Sequence, residues 1–99
     1  MIYEITELYI KPDAHAAFQA GVAEALPLFK SAKGCLSLRL DRAIETPDVY
    51  HLVIGWQTLD NHIVDFRGSS NFTAWRALVG SHFAQPPKVE HFETAVAGF

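Results

Sequence analysis

Apolar and polar residues alternate in four short segments of the chain, and each segment is predicted to be a β-strand. Residues of both kinds occupy each face of the first segment, so both of its faces are expected to be partly covered. The second segment alternates most cleanly, with Leu36, Leu38 and Leu40 on one apolar face. A polar turn at 45–48 separates the second and third segments and predicts an antiparallel hairpin. The predicted strands are Ile2–Ile10, Cys35–Arg42, Tyr50–Trp56 and Val89–Thr94.

A first helix is predicted between the first two strands, because apolar residues recur there at helical spacing. Lys11 and Pro12 break the strand, and Asp13 is the expected N-cap. Gly34 is expected to follow the helix in a left-handed conformation, and Pro27 predicts a bend. The apolar stripe of this helix consists of Phe18, Val22, Leu26 and Phe29.

A second helical region follows the third strand and is interrupted in its middle. Thr58 is the expected N-cap of its first half, and Gly68 is expected to stop that half through a positive φ. Ser69 or Ser70 then caps the second half, so the two halves can cross at an angle above the sheet. Their apolar stripes are Leu59, Ile63 and Phe66, and Phe72, Trp75, Leu78 and Val79.

The element order β, α, β, β, interrupted α, β predicts an α+β fold, the ferredoxin-like split βαβ sandwich. It has a four-stranded antiparallel sheet with the helices on one face, and residues 1–99 are expected to form a single domain. The other face needs cover, which predicts a homodimer with two sheets packed face to face. Residues 95–99 are expected to be a tail or an extension of the last strand.

Charge excludes several partners. The formal net charge is −3, the pI is about 5.9 and the eight Lys and Arg residues are scattered, so neither nucleic acid nor an anionic membrane is an expected partner. No apolar run approaches a membrane span, and the acidic N-terminal segment differs from a signal peptide. Cys35 is the only cysteine and is expected to be a small buried residue in a cytoplasmic protein.

Three stretches resemble the antibiotic biosynthesis monooxygenase family of small dimeric α+β barrel proteins. The three stretches are Leu52–Trp56, which the interrupted helix follows, Ser70–Trp75 and Pro86–Phe92. The resemblance extends over nearly the whole chain. The resemblance implies that an aromatic polyketide or quinol-type substrate is oxidised by O2 in a pocket between the helices and the sheet. The implied enzyme is a monooxygenase without metal, flavin or haem, so no cofactor is expected and the partner is a small hydrophobic or aromatic molecule.

Such a reaction needs an apolar wall and a few hydrogen-bond donors that stabilise a substrate anion. The interrupted helix is expected to leave a gap whose mouth holds residues of its second half. Arg76 shares a helix face with Phe72 and either steadies an enolate or pairs with Asp65. The candidate catalytic residues are Asn71, Trp75, Arg76, His62 and His82, and the candidate pocket wall consists of Tyr3, Trp56, Phe66, Phe72 and Phe83.

Other readings of the same residues stay open. Haem-degrading relatives are expected to need a histidine where Arg76 stands and an asparagine on the first strand, and neither is present.

His51 and His91 are expected to be structural, since no metal-binding spacing accompanies them. Inter-strand or inter-subunit ion pairs are expected for Glu4, Glu7, Arg39 and Asp41, although a catalytic carboxylate among them stays open.

Two non-catalytic functions compete with the enzyme. A binding or stress-response domain of the same fold would hold a small apolar ligand without chemistry. An interaction domain would fill the space between helices and sheet with its own side chains, with Trp56 and Trp75 in mutual contact.

Overall fold

The structure is a computed structural model that describes residues 1–99. Four strands and two α-helices follow one another in the predicted order, and an irregular helical stretch precedes the second α-helix. The elements are β1 Ile2–Tyr9, α1 His15–Lys30, β2 Cys35–Arg42, β3 Val49–Trp56, a π-helical segment Asn61–Phe66, α2 Ser70–Val79, a 3₁₀ turn Gly80–His82 and β4 Lys88–Phe92.

The four strands form one antiparallel sheet in the order β2-β3-β1-β4. Both helices pack on one face, which confirms the ferredoxin-like α+β fold and the hairpin between β2 and β3. No helix is both long enough and apolar enough to cross a bilayer. Residues 93–99 form no regular element, so β4 ends two residues before the predicted Thr94.

Central strand β1 has two faces of different character. Glu4, Thr6 and Leu8 are buried beneath the helices, on what we call the inner face. Tyr3 and Ile5 lie on the opposite, outer face, where Ile5 pairs with Val53 of β3. The inner face and the helices share one hydrophobic core, so every inward residue of β1 borders either that core or a cavity within it.

A β-bulge alters the start of β2. Cys35 pairs with Trp56 and Ser37 with Gly55, so Leu36 is the extra residue. Leu36 is therefore 56% exposed, and its predicted place on the buried face with Leu38 and Leu40 is wrong. Leu38 and Leu40 do pack against the core, as the alternation predicted.

The helix α1 begins and ends differently in detail from the prediction. Its N-cap is Ala14, without a side-chain hydrogen bond, so the expected cap by Asp13 is wrong. The buried stripe passes through Ala25, which leaves Leu26 44% exposed instead of buried. Helix α1 continues through Pro27 to Lys30, and Gly34 has the predicted left-handed conformation with a φ of 75°.

The helical stretch after β3 is wider than an α-helix. Thr58 caps it as predicted, because its hydroxyl accepts a hydrogen bond from the Asn61 amide at 3.2 Å. The segment Asn61–Phe66 has π-helical turns, so residues five apart share a face. It buries Asn61, His62 and Phe66, and the predicted stripe of Leu59, Ile63 and Phe66 is wrong except for Phe66.

Gly68 separates this segment from α2 for a reason other than the predicted one. Its φ is not positive, but a Cβ at this position would lie 2.9 Å from the carbonyl oxygen of Val64. A glycine therefore lets the chain approach the preceding turn closely. Ser69 caps α2, as one of the two predicted serines, and accepts from the Phe72 amide.

Candidate functional site

A cavity of about 190 Å³ lies between the inner face of the sheet and the helical layer. Its floor is β1, and its walls come from the π-helical segment, α2 and the chain before β4. Eight of its fourteen lining residues are hydrophobic, and the rest are carboxylate, hydroxyl, imidazole and guanidinium groups or proline. The polar and aromatic side chains that line it include Glu4, Thr6, His62, Phe66, Arg67, Phe72, Trp75, Arg76 and Phe83.

Glu4 is a carboxylate buried at the floor of this cavity, with 5% of its surface exposed. The Thr6 hydroxyl donates to its Oε2 at 2.6 Å, and the Trp56 indole Nε1–H donates to its Oε1 at 3.1 Å. Burial raises the pKa of Glu4, although both hydrogen bonds and the charge of Arg67 oppose that rise. A carboxyl group with a raised pKa takes up and gives back a proton closer to neutral pH.

His62 connects Glu4 with the last strand. Its imidazole stacks on Trp56, with ring centroids 5.3 Å apart and planes 13° from parallel. Nε2 lies 3.1 Å from Oε1 of Glu4, and Nδ1 lies 2.8 Å from Nε2 of His91 on β4. The π-helical segment points both His62 and Phe66 toward the sheet, and its wide turns bring Asn61, five residues before Phe66, to the buried side as well.

The charge state of His62 follows from its surroundings. Burial, then the positive charge of Arg67 and the neighbouring His91, lower the pKa of His62 to about 4. The imidazole is therefore neutral at pH 7. A carboxylate beside Nε2 favours a hydrogen on that nitrogen, so Nδ1 accepts from Nε2–H of His91.

Two arginines stand at the mouth of the cavity. The guanidinium of Arg76 lies 5.5 Å from the ring centroid of Phe83, over the ring face, and both side chains line the cavity. Arg67 also lines it, and its charge acts on Glu4, His62 and His91. The predicted alternative of an Arg76–Asp65 pair is absent. Asp65 instead accepts a hydrogen bond from the side-chain amide of Asn61.

The structure brings six of the ten predicted site residues into this cavity: Trp75, Arg76, His62, Phe66, Phe72 and Phe83. Trp56 is fully buried behind Glu4 and does not line the cavity. Tyr3 lies on the outer face, because successive residues of β1 point to opposite sides.

Asn71 and His82 also lie outside the cavity. The Asn71 amide donates to the Leu28 carbonyl oxygen at 2.9 Å and thereby ties α2 to the end of α1. His82 belongs to the 3₁₀ turn, and none of its atoms lines the cavity. The predicted place of Asn71 at the mouth is therefore wrong, and His82, predicted as a donor or base, does not reach the cavity.

The remaining predicted polar pairs are partly present. Glu7 approaches His51 across the outer face at 3.7 Å, and Arg39 pairs with Asp41 along β2. His51 and His91 occupy opposite faces and do not meet, because β1 lies between β3 and β4. No three His, Cys, Asp or Glu side chains converge as metal ligands.

Glu4, Thr6 and His91 are site residues that the sequence reasoning did not select. Glu4 was expected to form an ion pair between strands or subunits, but it is buried under the helices. A signal was present, since Glu4 and Thr6 share a strand face with the apolar Leu8. A carboxylate on such a face needs buried partners, which here come from three different elements.

The cavity also bears on the third predicted function. Trp56 and Trp75 form no aromatic pair with each other: Phe66 lies tilted against Trp56, and Phe29 packs edge-on against Trp75. The space between helices and sheet is therefore lined by side chains and not filled by them.

Stability is expected to fall when the pH is lowered from 7 to 4. The pKa of His62 is about 4 in the folded state and 6.5 ordinarily, so the unfolded chain binds a proton more tightly in this window. The loss attributable to His62 is about 3 kcal/mol, and His91, whose pKa is also lowered, adds to it. Glu4 acts in the opposite sense, because its raised pKa stabilises the fold on acidification.

Urea unfolding at pH 7, 5.5 and 4.5 measures this effect, with His62→Gln as the comparison. The variant should lose less stability than the parent protein over the same range. Arg67 and Cys35 also face this cluster, but neither changes charge between pH 4 and 7. Parallel curves for the two proteins would contradict the assignment.

A ferredoxin-like sheet with a polar-floored aromatic cavity under its helices defines an α+β domain with an internal cavity of small-molecule size. The chain belongs to the antibiotic biosynthesis monooxygenase family, whose model matches residues 1–78.

Individual relatives agree with this assignment. A protein of Bordetella bronchiseptica, provisionally named an antibiotic biosynthesis monooxygenase, is 49% identical; the match covers 96% of this chain and 97% of that one, with a TM-score of 0.94. The uncharacterized protein YczJ of Bacillus subtilis is 33% identical over 93 residues, which is 94% of this chain and 98% of YczJ. SnoaB of Streptomyces nogalater, described as a cofactor-independent oxygenase, is 12% identical with a TM-score of 0.82 and shows the fold alone.

Proposed function

We propose that the protein is a cofactor-independent monooxygenase that oxidises a small phenol or quinol with O2. One observation carries the proposal: an aromatic cavity holds a buried carboxyl and a neutral imidazole at its floor and two arginines at its mouth. The family supports the same reaction class, and SnoaB, whose fold is shared, is described as an oxygenase that needs no cofactor.

Cavity volume limits the substrate. Because an engineered cavity of about 150 Å³ binds benzene, a cavity of about 190 Å³ accommodates one aromatic ring with small substituents. A ring of that size would lie against Phe66, Phe72 and Trp75. A fused three-ring polyketide would have to extend through the mouth, so a single-ring substrate fits better.

The two arginines favour a substrate that binds as its oxyanion. Guanidinium groups form charge-assisted hydrogen bonds to anionic oxygen, and these are stronger where water is excluded. A phenolate is electron-rich enough to pass one electron to O2, after which the two radicals combine into a peroxide on the ring. The protein's part is to hold the ring, stabilise the anion and supply a proton.

Oxygen and protons balance without a further reductant. A phenolate, one O2 and one proton give a quinone and one water. The ring peroxide takes the proton from Glu4, its O–O bond breaks, and the distal oxygen leaves as water with the hydrogen of the ring carbon. The raised pKa of Glu4 suits it to be the acid in this step.

The assembly and location remain part of the proposal. The outer face carries Ile5, Val53 and Phe92, and Phe92 is 47% exposed, so a second copy of the chain would cover apolar surface there. The free thiol of Cys35 fits a reducing, cytoplasmic compartment.

Oxygen consumption with a panel of single-ring phenols and quinols, in the presence of a metal chelator, tests the proposal. Light scattering should first give twice the chain mass of 11.0 kDa. We expect saturable O2 uptake, with one atom of ¹⁸O2 in the quinone and the other in water. Arg76→Ala should raise KM at least about tenfold through loss of a charge-assisted contact, whereas Lys33→Ala, which removes an exposed cation that does not line the cavity, should not.

Two outcomes would contradict the enzyme. Saturable binding of these compounds without oxygen uptake would leave a non-catalytic binding domain, the alternative that the same cavity allows. Oxygen uptake with both oxygen atoms recovered as hydrogen peroxide would show an oxidase instead of a monooxygenase.

A further inference from the structure

We propose that Glu4, His62 and His91 form a proton relay that delivers a proton from solvent at β4 to the floor of the cavity. The relay would supply the proton that oxidation of a bound phenolate consumes, and in that respect the inference rests on the proposed function. His62 lines the cavity, and His91 is a positioning residue that acts through His62.

The three side chains form an unbroken row across two strands and the π-helical segment. Oε1 of Glu4 lies 3.1 Å from Nε2 of His62, and Nδ1 of His62 lies 2.8 Å from Nε2 of His91. Both distances are within the reach of direct proton transfer. Glu4 and His91 are also register partners of β1 and β4, so the sheet itself fixes the two ends of the row.

The far end of the row is open to solvent. His91 is half-buried on β4, an edge strand of the sheet. Nδ1 of His91 has no partner in the protein, yet no buried side-chain nitrogen or oxygen of a residue sheltered from solvent is left unpaired. This nitrogen therefore contacts water, while Glu4 at the other end is buried.

A single passage conserves protons and charge on the two rings. Water gives a proton to Nδ1 of His91, whose Nε2–H passes to Nδ1 of His62, and the Nε2–H of His62 passes to Oε1 of Glu4. Each imidazole gains one proton and loses one, so both end neutral in the other tautomer. Another passage requires the rings to return to their first tautomers.

No other neighbour of Glu4 offers this route. Trp56 and Arg67 keep their protons at neutral pH. Burial and the charge of Glu4 raise the pKa of the Cys35 thiol, and the Thr6 hydroxyl is engaged at Oε2. A ring bound in the cavity would cover the open side of Glu4, so resupply by water would have to pass through His62.

Hydrogen exchange on the ¹⁵N-labelled full chain tests the relay without turnover, with benzene filling the cavity so that water reaches Glu4 only through His62. The His62 Nε2–H should exchange with water through His91. His91→Gln keeps a hydrogen bond to Nδ1 of His62 but cannot pass a proton on. The variant should therefore slow that exchange at least about tenfold. The Trp56 Nε1–H bonds to the same carboxylate but lies off the path, so its exchange should stay unchanged.

Each result decides the matter. Equal slowing or acceleration of the Trp56 and His62 protons would show that His91 only packs the site, and unchanged exchange of the His62 proton would also overturn the relay. His91→Ala should exchange slowly as well and recover when imidazole is added. His82→Gln, a histidine outside the cavity, serves as the matched control.

Turnover provides an independent reading. If the phenol panel supports oxygen uptake, His91→Gln should lower kcat about tenfold with little change in KM, because the ring still binds in an intact cavity. An unchanged kcat would overturn the relay's part in catalysis. Absence of turnover in the parent protein would contradict the proposed function alone, and the exchange measurement would still decide the relay.

Discussion

Glu4→Gln is expected to abolish most oxygen uptake while leaving the protein as stable as before or more stable. Removal of a general acid lowers kcat by about a hundredfold or more. The glutamine keeps the shape of the side chain and can still accept from the Trp56 indole and exchange a hydrogen bond with Thr6. Because burial disfavours the charged carboxylate, its neutral replacement removes a folding cost.

The Glu4→Gln variant is thus expected to lose activity without losing stability, and the two quantities are measured separately. Stability is measured by urea unfolding at pH 7, and kcat by oxygen uptake with the most active phenol of the panel. Glu24→Gln, an exposed carboxylate of α1, should change neither quantity. A variant that keeps full activity would remove Glu4 from the role of acid, and one destabilised by more than about 2 kcal/mol would contradict the folding cost assigned to its buried charge.

Trp56→Ala is expected to cost about 4 kcal/mol of unfolding free energy, the largest stability effect of any single change considered. The Trp56 indole is fully buried, stacks on His62 and donates to Glu4. Its loss would leave a cavity beneath the π-helical segment and a buried carboxylate short of one donor. Since domains of this size have about 5 to 15 kcal/mol in total, the variant should be close to unfolding at 37 °C.

Unfolding followed by circular dichroism measures the change, because the signal does not depend on this tryptophan. Trp56→Phe separates the two contributions: it retains an aromatic ring and should cost only about 1 to 3 kcal/mol, mainly from the missing donor to Glu4. Val96→Ala, in the exposed C-terminal stretch, should have no measurable effect. Equal losses for the alanine and phenylalanine variants would show that the hydrogen bond, and not packing, dominates.

The architecture was predictable from local patterns because the existence and order of the strands and helices follow from their periods and the turns between them. The deviations arise where tertiary contacts override that period. The bulge at Leu36 and the wide turns at Asn61–Phe66 each add a residue that no alternation records. Gly68 was correctly singled out, but the carbonyl of Val64 that requires a glycine is known only once the turn is built.

The site was predictable in composition more than in geometry. Aromatic residues of the interrupted helix point into the cavity as their spacing indicated, because that spacing decides which face of α2 is inward. Asn71 was misplaced because its amide has a competing backbone partner on α1. The pairing of His62 with Glu4 and His91 depends on the register of β1 with β4, which nothing local encodes.

Alternation along β1 has a consequence for the evolution and engineering of this protein. Inserting or deleting one residue at the start of the strand would turn Glu4 and Thr6 outward and bring Ile5 and Glu7 inward. The polar groups of the cavity floor and the apolar surface of the outer face would then change places in one event. Diversification of substrate preference is therefore expected to proceed by substitutions on α2 and in the stretch leading to β4, where length and sequence can drift without moving the acid.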